Sequence, residues 1–518
     1  MKDEILEMKN IVKVYPNGFV ANSGINFSVK RGEIHALLGE NGAGKTTLMN
    51  ILFGLESHEE GDIYIGGQKV EIHNPLEAIK HGIGMVHQHF KLVPSLTIAE
   101  NVVLGLEPKG KFGTIDLKRA AEITTEVADK YNMKVDPYAT IESVSVGVKQ
   151  QVEIIKILVR GAKILVLDEP TAVLTPQETS RLFGELKRLR DEGNTIIFIS
   201  HKLKEVEEIC DTFTVLRRGR LIGVKKVSES SASEMSAMMM GKNIDLRIDK
   251  KQPVLHEEMI RFDQVSYSTI LGKKKLDQIS FNVYGGEVMG IAAIEGNGQE
   301  EIAEILSGLK RVQNGKVHIC GEEIKDKSIR SLREKGMAYI SSDRYKYGCA
   351  QACSIKDNLV ADRYFKKPIA RGFMIQNKVI DKIADQLIEE YDVRCKSKYN
   401  EAKSLSGGNA QKMIVAREFT NNPKVIIASQ PTRGIDIGAS QMIRTKLVDL
   451  SRRHQVAVLL ISADLTELLE VSDKIIVLHN GRIVAYMPDA GKVDEFVLGE
   501  YMLGAKEQTD EEVRCAVH

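Results

Sequence analysis

The apolar positions of this chain follow two alternating patterns. Short unbroken apolar runs, at residues 164–167 and 195–199, have the length of buried strands. Between these runs, Leu182, Leu186 and Leu189 recur at helical spacing and form one apolar stripe. Alternation of strands with helices is typical of a parallel sheet covered by helices, so the pattern predicts an α/β fold.

The pattern occurs twice along the chain. Several glycines of the first half have a partner in the second half at one constant spacing, and the pairs are Gly32 with Gly286, Gly42 with Gly296, Gly44 with Gly298, and Gly61 with Gly315. Later the spacing grows by a few residues, so that Pro170 meets Pro431. Because so many glycine and proline positions recur at nearly the same spacing, the chain contains two copies of one fold, with a short insertion in the second copy.

This repeat predicts the domain organisation. We expect one domain over residues 1–228 and a second over residues 258–505. The stretch between them, 229–257, is polar and rich in methionine and serine, and it predicts a linker with a small helix at 232–240. Residues 506–518 are expected to form a polar, mobile tail without a functional signal.

Composition excludes several classes of protein. The 518 residues carry a formal net charge of +1, which gives no basic excess of the kind that binds nucleic acid. The longest apolar runs are far shorter than the ~20 residues of a membrane helix. The first residues lack the apolar stretch of a signal peptide. The six scattered cysteines form no CxxC pair and predict reduced cytosolic thiols. Any membrane role must therefore come through partner proteins.

A phosphate-binding loop lies near the start of the first copy. Residues 39–47 fit the pattern G-x-x-x-x-G-K-[ST] between an apolar strand at 33–38 and an apolar helix from residue 48. Lys45 can reach the β- and γ-phosphates, and the Thr46 hydroxyl can bind Mg²⁺. The candidate nucleotide-binding residues are Gly39, Glu40, Asn41, Gly42, Ala43, Gly44, Lys45, Thr46 and Thr47.

Two further positions flank this loop in the sequence. Tyr15 follows a strand-like stretch at 6–14, so a nucleotide base could stack on it; the alternative is an ordinary half-buried tyrosine. Gln88 ends a later strand and is a candidate contact for the metal and the γ-phosphate. The loop after it, residues 89–95, is unusually apolar and could be a docking surface for a partner, or it could pack into its own domain.

An acidic pair follows the strand at 164–167. Asp168 is placed to hold Mg²⁺, and Glu169 is placed to orient or deprotonate an attacking water. His201 ends the next strand and can donate to the γ-phosphate. Acidic pairs after strands also serve as helix caps, but the phosphate loop upstream favours the catalytic interpretation.

These motifs, together with Leu-Ser-Gly-Gly-Asn at residues 405–409, resemble those of the ATPase subunits of ABC transporters. The resemblance covers residues 5–505 and implies two tandem P-loop NTPase domains, each with a mainly parallel sheet, an antiparallel β part and a helical subdomain. It implies ATP and Mg²⁺ as cofactors, with the metal held by Thr46, Gln88 and Asp168. It also implies that the second half supplies γ-phosphate donors, which are Ser406, Gly407 and Gly408.

Two fused ATPase halves without a membrane segment look like the importers of simple sugars and nucleosides. The sequences of residues 86–94 and 167–178 are most similar to the nucleoside branch of this family, and the ribose/galactose branch is the alternative. The resemblance implies two integral-membrane permease subunits, an extracellular substrate-binding lipoprotein and no nucleic acid as partners. It places the chain on the cytoplasmic face of the membrane, held there by the permeases.

The two copies differ in every catalytic position. The register pairs Lys45 with Gln299, Thr46 with Glu300, Gln88 with Ser342, Asp168 with Ser429, Glu169 with Gln430, and His201 with Ala463. The first copy has Val-Ser-Val-Gly-Val at residues 144–148, where the second has the intact pentapeptide. Our hypothesis is one hydrolytic site, made of the first P-loop and the second signature, and a degenerate site that binds nucleotide weakly or serves as a hinge.

Two other functions fit the motifs less well. A soluble tandem ATPase that acts on ribosomes or DNA would be expected to show more basic charge and a longer arm between the halves. A nucleotide sensor without turnover would not need Glu169 and His201. The sequence therefore favours an energy-coupling ATPase.

Overall fold

The structure is a computed structural model that describes residues 4–16, 18–88, 90–110, 114–172, 174–241, 248, 250–269, 271–372 and 374–514. The chain forms two compact units, Met1–Asp245 and Leu246–His518. Among the described residues we find no helix with the length and apolarity needed to cross a membrane. The cysteines at the described positions are free thiols, as expected from their spacing.

The described residues of the first unit form ten strands, which are β1 Glu4–Val14, β2 Val20–Lys30, β3 Ile34–Leu38, β4 Glu60–Ile65, β5 Gln68–Val70, β6 Ile83–Val86, β7 Ile164–Asp168, β8 Thr195–Ile199, β9 Thr212–Arg217 and β10 Arg220–Lys226. Its described helices are α1 Lys45–Leu52, α2 Pro75–Lys80, α3 Ile98–Val103, α4 Leu117–Lys130, α5 Val146–Val159, α6 Pro176–Asp191, α7 Leu203–Ile209 and α8 Ala232–Met240.

Two sheets form the body of the first unit. The larger sheet has the order β10-β9-β3-β8-β7-β6, and all its pairs are parallel except β9 with β10. The smaller sheet, in the order β2-β1-β4-β5, is antiparallel. Every residue of β3, β7 and β8 is buried, which explains why these strands are unbroken apolar runs. Parallel strands place their carboxyl ends at one edge, where ligands bind in α/β folds.

A helical part of the first unit is built by α3, α4 and α5, which pack against one another. Helix α3 begins with a capping box in which Thr97 and Glu100 exchange hydrogen bonds. Helix α6 begins in the same way with Thr175 and Glu178, and Pro176 occupies its first turn.

The second unit repeats this arrangement. Its strands are β11 Glu258–Ser268, β12 Lys274–Tyr284, β13 Val288–Ala293, β14 Asn314–Ile319, β15 Glu322–Glu323, β16 Met337–Ile340, β17 Ala370–Arg371, β18 Met374–Ile375, β19 Val425–Ser429, β20 Ala457–Ile461, β21 Lys474–His479 and β22 Arg482–Met487. Its helices are α9 Gln299–Leu306, α10 Ile329–Glu334, α11 Ile355–Val360, α12 Asn377–Glu390, α13 Gly407–Phe419, α14 Ile437–His454, α15 Leu465–Val471, α16 Glu495–Met502 and α17 Asp510–Arg514.

The second unit has the same topology as the first. Its large sheet runs β16-β19-β20-β13-β21-β22, which matches β6-β7-β8-β3-β9-β10 strand by strand. The expected fold, two P-loop domains with a parallel sheet, an antiparallel part and helices, is therefore confirmed. Backbone details repeat as well: Glu169 and Gln430 both have left-handed backbone conformations, with φ 48° and 52°, at the same point after the equivalent strands.

The predicted linker helix and part of the predicted tail both pack against a domain. The predicted helix at 232–240 is confirmed as α8, and it packs against β9 and α7 of the first unit. Within the predicted tail, the Gln508 backbone N–H donates to Val484 O at 2.9 Å, and its side chain exchanges two hydrogen bonds with the Tyr486 backbone. This part of the tail therefore covers the edge strand β22. The last predicted tail residues, 515–518, lie outside the described residues.

A buried carboxyl group between α5 and α6 makes the first unit sensitive to pH. Glu185 is 5% exposed, and its Oε1 accepts from Gln151 Nε2 at 2.5 Å. Its Oε2 has no hydrogen-bond partner among the described residues. Burial raises the pKa of Glu185 to about 7, while the hydrogen bond from Gln151 opposes that shift. Ionisation of Glu185 therefore destabilises the folded state, and this cost is absent at low pH, where the group is protonated in both states.

We expect Glu185→Gln to stabilise the first unit at pH 8 and to have little effect at pH 4. As the pH rises above the ordinary carboxyl pKa, the unfolded chain ionises first, and the native unit loses stability until the folded pKa is passed. The full shift corresponds to roughly 3 kcal/mol. Calorimetric unfolding at the two pH values measures the difference, with exposed Glu207→Gln as control. An equal gain at both values would contradict the ionisation argument.

Candidate functional site

The phosphate loop connects β3 to α1 through residues 39–44. Two of its glycines are needed for close packing: a Cβ on Gly39 would lie 2.4 Å from Leu216 O, and one on Gly44 would lie 2.4 Å from Ala21 O. Gly42 has φ +80° and faces open space, so its backbone is accessible. The loop therefore has the fixed base and open upper side that an anion needs in order to approach backbone N–H groups.

Lys45 is the first residue of α1 and extends back over the loop. Its Nζ donates to Gly39 O at 2.6 Å and to Glu40 O at 3.0 Å, and the side chain is buried. Burial lowers the pKa of Lys45, against the opposing attraction of Glu169, Asp168 and Glu40. The ammonium group is thus held inside the loop, within reach of any phosphate bound there.

The predicted base lies between two predicted sensors. Glu169 Oε2 accepts from Gln88 Nε2 at 2.9 Å, and Glu169 Oε1 is 2.9 Å from His201 Nδ1. The three side chains come from the ends of three adjacent strands, β6, β7 and β8. The structure therefore brings together Gln88, Glu169 and His201 beside Lys45, although 81 and 32 residues of sequence separate the bonded pairs.

The two carboxyl groups of the acidic pair differ in their environment. Burial and the adjacent Glu169 raise the pKa of Asp168 to about 6, although Lys45 opposes the shift. Burial alone would also raise the pKa of Glu169, but the hydrogen bond and charge of His201 outweigh it and lower the pKa. Glu169 is therefore ionised at neutral pH and able to accept a proton.

The remaining predicted contacts are arranged around α1. Thr46 is exposed in the first turn, where its hydroxyl is accessible. The Tyr15 hydroxyl lies 3.3 Å from Thr47 Oγ1, and its ring is inclined by 20° to the Phe19 ring, with centroids 6.5 Å apart. Tyr15 is half-buried, while Phe19 is 53% exposed. Phe19 is an aromatic neighbour that sequence reasoning missed. The stacking of a base on Tyr15 remains a prediction.

The apolar loop after Gln88 is anchored by backbone hydrogen bonds at Lys91 and Val93 and is exposed towards its end. The Lys91 N–H donates to buried Glu153, and the Val93 N–H donates to buried Asn101. Phe90 and Leu92 are half-buried, whereas residues 93–95 are exposed. Residue 89 of the predicted loop lies outside the described residues. The loop thus has features of both interpretations, with packed apolar side chains and an exposed tip.

A cavity of about 210 Å³ opens beside this loop. Apolar side chains, including Phe53, Ile83 and Ile157, line its interior. Lys91, Lys156 and Arg160 contribute basic groups to the lining. His87, the residue before Gln88, also lines the cavity, and burial lowers its pKa. The cavity therefore directly adjoins the strand end that carries Gln88.

The equivalent loop of the second unit keeps its glycines but lacks the positive charge of Lys45. Gln299 Nε2 donates to Ile294 O at 3.1 Å, which replaces one of the two bonds of Lys45. Its Oε1 is buried and has no hydrogen-bond partner in the part of the chain that the structure describes. Burial, together with Glu295, Glu301 and other glutamates, raises the pKa of Glu300. Gln430 accepts from the Ala463 N–H at 3.2 Å. The second loop thus has a neutral amide at the position of Lys45 and carboxylates at the positions of the Thr46 and Thr47 hydroxyls.

The two signature helices also differ at their N-termini. In the first unit, Ser145 caps α5, and the Gly147 N–H donates to Glu178 Oε1 at 3.2 Å. In the second unit, Ser406 makes no such cap on α13 and instead accepts from Asn409 Nδ2 at 2.9 Å. An internal carboxylate thus occupies the first signature. The structure places Ser406, Gly407 and Gly408 together at the start of α13.

Sequence reasoning missed two residues at these signatures. Glu178 could be predicted to cap α6, from the Thr-x-x-Glu spacing that begins at Thr175. Its contact with Gly147 could not be predicted, because 31 residues separate the two. The second missed residue is Arg344, whose Nη1 donates to Gly407 O at 2.6 Å. No local pattern indicates that contact.

Comparison with known proteins gives consistent results over both units. The family model described as ABC transporter matches residues 22–172 and 276–433. The guanosine import ATP-binding protein NupO of Bacillus subtilis is 43% identical, and the alignment covers 97% of this chain and 98% of that protein. The nucleoside import ATP-binding protein NupA of Lactococcus lactis subsp. cremoris is 40% identical, with coverage of 93% and 94%. The ribose import ATP-binding protein RbsA of Caldanaerobacter subterraneus is 38% identical, with coverage of 96% and 98%.

A solved structure shares the tandem fold. A chain in the complex of archaeal ribosomal stalk protein aP1 and archaeal ribosome recycling factor aABCE1 has a TM-score of 0.61, and the match covers 92% of this chain and 90% of that one. The identity is only 18%, so this likeness shows the fold and carries no information on the process served.

Proposed function

We propose, because the chain belongs to the ABC transporter family, that it is the ATP-hydrolysing subunit of a transporter that imports nucleosides. The observation that carries the proposal is the arrangement of Glu169 between Gln88 and His201, next to a P-loop with Lys45 in place. The nucleoside substrate is supported by the similarity to importers of guanosine and nucleosides.

The residues of the first unit have complementary tasks in hydrolysis. The backbone N–H groups of the P-loop and the Lys45 ammonium bind the β- and γ-phosphates. Glu169 accepts the proton of the attacking water, and its ionised state suits that task. His201 holds the carboxylate in position and can donate to the γ-phosphate. Gln88 fixes the other carboxylate oxygen.

The donor set fits Mg²⁺, which prefers oxygen ligands. The ion would be held by the Thr46 hydroxyl, the Asp168 carboxylate and the Gln88 amide oxygen. The Gln88 oxygen is available for this role because its bond to Glu169 uses only Nε2. The raised pKa of Asp168 indicates a carboxylate that a cation would stabilise. When bound, the ion neutralises negative charge on the phosphates.

We propose further that Ser406, Gly407 and Gly408 complete the hydrolytic site with hydroxyl and N–H donors to the γ-phosphate. The second P-loop, with Gln299 and an acidic lining, and the first signature, with Glu178 on Gly147, have no part in turnover. One ATP is hydrolysed per chain and cycle in this scheme.

The partners in this proposal are two integral-membrane permease subunits and an extracellular substrate-binding lipoprotein. The apolar cavity beside the 90–95 loop, with its basic residues, is the docking surface for a permease segment on the first unit. Occupation of the cavity would be sensed at His87 and therefore at Gln88. The chain would associate with the cytoplasmic face of the membrane only through the permeases.

A monosaccharide such as ribose or galactose is the second candidate for the imported molecule, because a ribose import protein is also similar to this chain. Measurements of uptake by cells distinguish the nucleoside from the monosaccharide. Deletion of the gene from its organism should abolish high-affinity uptake of radiolabelled guanosine, and excess unlabelled ribose should not compete in the undeleted strain. Loss of ribose uptake with unchanged guanosine uptake would support the sugar instead, and unchanged uptake of both would contradict the proposal.

A further inference from the structure

We propose that Arg344 is the positioning residue of the intact signature, and that it holds the start of α13 in the conformation that binds the γ-phosphate. This inference rests on the proposed function, and it adds a group that lies outside every motif recognised in the sequence. Arg344 lies in the loop between β16 and α11, residues 341–354, which is about three residues longer than the equivalent loop of the first unit.

The segment that carries Arg344 is firmly anchored. Residues Arg344–Gly348 form a single π-helical turn, a rare conformation that occurs often at functional sites. The Asp343 carboxylate caps the turn by accepting from the N–H groups of Tyr345 and Lys346. The buried Arg417 guanidinium donates to Gly348 O at 2.7 Å and fixes the other end. The guanidinium of Arg344 therefore projects from a rigid base.

The Arg344 guanidinium connects two segments of the second unit. Nη1 donates to Gly407 O at 2.6 Å, and Nη2 donates to Arg433 O in the loop between β19 and α14. Both contacts lie close to a glycine, where a side chain would crowd the guanidinium. A Cβ on Gly407 would lie 3.2 Å from Nη1, and a Cβ on Gly434 would lie 3.3 Å from Nη2. Gly407 therefore leaves space for the arginine as well as for a phosphate.

A planar guanidinium can hold two carbonyl oxygens at once, which a lysine ammonium on a flexible stem does less well. By binding a carbonyl of the first turn, Arg344 leaves the N–H groups of that turn available. Burial lowers the pKa of Arg344, Tyr345 and Cys349 oppose that shift, and the nearby Arg433 adds to it. The intact signature thus lies in a positively charged setting that favours an anion.

The first unit has the opposite arrangement. Val146 occupies the position of Gly407, so its side chain would obstruct an arginine there. The Glu178 carboxylate binds the Gly147 N–H, at the position that a phosphate oxygen would otherwise take. In the second unit the residue equivalent to Glu178 is Ala439, which offers no carboxylate. The intact signature therefore has a positive group beside it, Arg344, and the degenerate signature has a negative one, Glu178.

The test compares ATP with ADP binding in the full chain. All variants carry Glu169→Gln to prevent turnover, and the parent with this change alone is the reference. We expect Arg344→Ala to weaken ATP binding about ten-fold and to leave ADP binding unchanged, because ADP has no γ-phosphate for the signature to hold. Arg344→Lys should be intermediate. Lys346→Ala in the same turn is the matched control and should bind both nucleotides like the parent.

The outcomes separate this inference from the proposed function. Ser406→Ala serves as benchmark: if it does not weaken ATP binding either, the use of the signature in the proposed function is wrong. If Ser406→Ala weakens ATP binding and the two Arg344 variants do not, the positioning role is wrong. Parallel losses of ATP and ADP affinity in both Arg344 variants would indicate only a folding defect and would also overturn the inference.

Discussion

Glu169→Gln should reduce the steady-state ATPase rate of the full chain by about a hundred-fold or more, since loss of a general base costs 10²–10⁴-fold. Glutamine has nearly the same size, and its carbonyl oxygen can still accept from Gln88. Its NH₂ group can donate to His201 Nδ1 when that nitrogen is unprotonated, so the site should keep its shape. What it loses is the ability to take a proton. ATP binding should therefore persist while turnover stops, and a rate assay with an equilibrium binding assay measures both.

The second unit provides the matched control for this experiment. Gln430 occupies the same place after the equivalent strand, with the same left-handed backbone. Gln430→Glu should leave the rate unchanged, because Ser429, Ala463 and Gln299 replace the remaining catalytic groups. Substantial activity in Glu169→Gln, or a second active site in Gln430→Glu, would contradict the assignment of turnover to the first P-loop.

The pKa shifts also define the pH range in which the site works. The bond from His201 lowers the pKa of Glu169, so the base is ionised throughout the neutral range. Asp168, with a pKa raised to about 6, would take up a proton as the pH falls below that value. The free enzyme should therefore lose activity on the acid side because of Asp168 before Glu169 is affected.

Sequence patterns predicted those residues of this site that directly follow a buried strand. Strand ends in a parallel sheet meet at one edge, so Gln88, Asp168, Glu169 and His201 could be expected together once the strands before them were recognised. The fold was predictable for the same reason, because buried parallel strands must be apolar on both faces. The repeat added the register that identified Gln299 and Gln430 as the substituted positions.

The contacts that escaped prediction link side chains to distant backbone atoms. Arg344 to Gly407 and Glu178 to Gly147 depend on how a loop folds over a helix start, which neither periodicity nor spacing encodes. The longer loop after β16 was recognised only as part of a shift in register, although it contains the turn that carries Arg344. Gln508 was expected in a mobile tail because its neighbours are polar, yet it pairs with the backbone of β22.

The first P-loop should be the only one whose lysine matters for turnover. Lys45→Gln, which gives the first loop the residue of the second, should weaken ATP binding by roughly 10- to 100-fold, because a charge-assisted hydrogen bond is worth about 1.5–3 kcal/mol. Turnover should fall further, since the ammonium also stabilises charge that develops on the phosphates. Titration with a fluorescent ATP analogue and a rate assay measure the two effects.

The reciprocal change, Gln299→Lys, should not create a second active site. The new ammonium would satisfy Ile294 O as Gln299 does, but Glu295, Glu300 and Glu301 would still surround the loop with negative charge. A lysine next to these carboxylates would pair with them as readily as with a phosphate. The rate per chain should therefore stay at the wild-type value, and Gln299→Lys combined with Glu169→Gln should remain inactive. Activity in that double variant would show that a single missing charge, rather than the loss of every catalytic group together, separates the two loops.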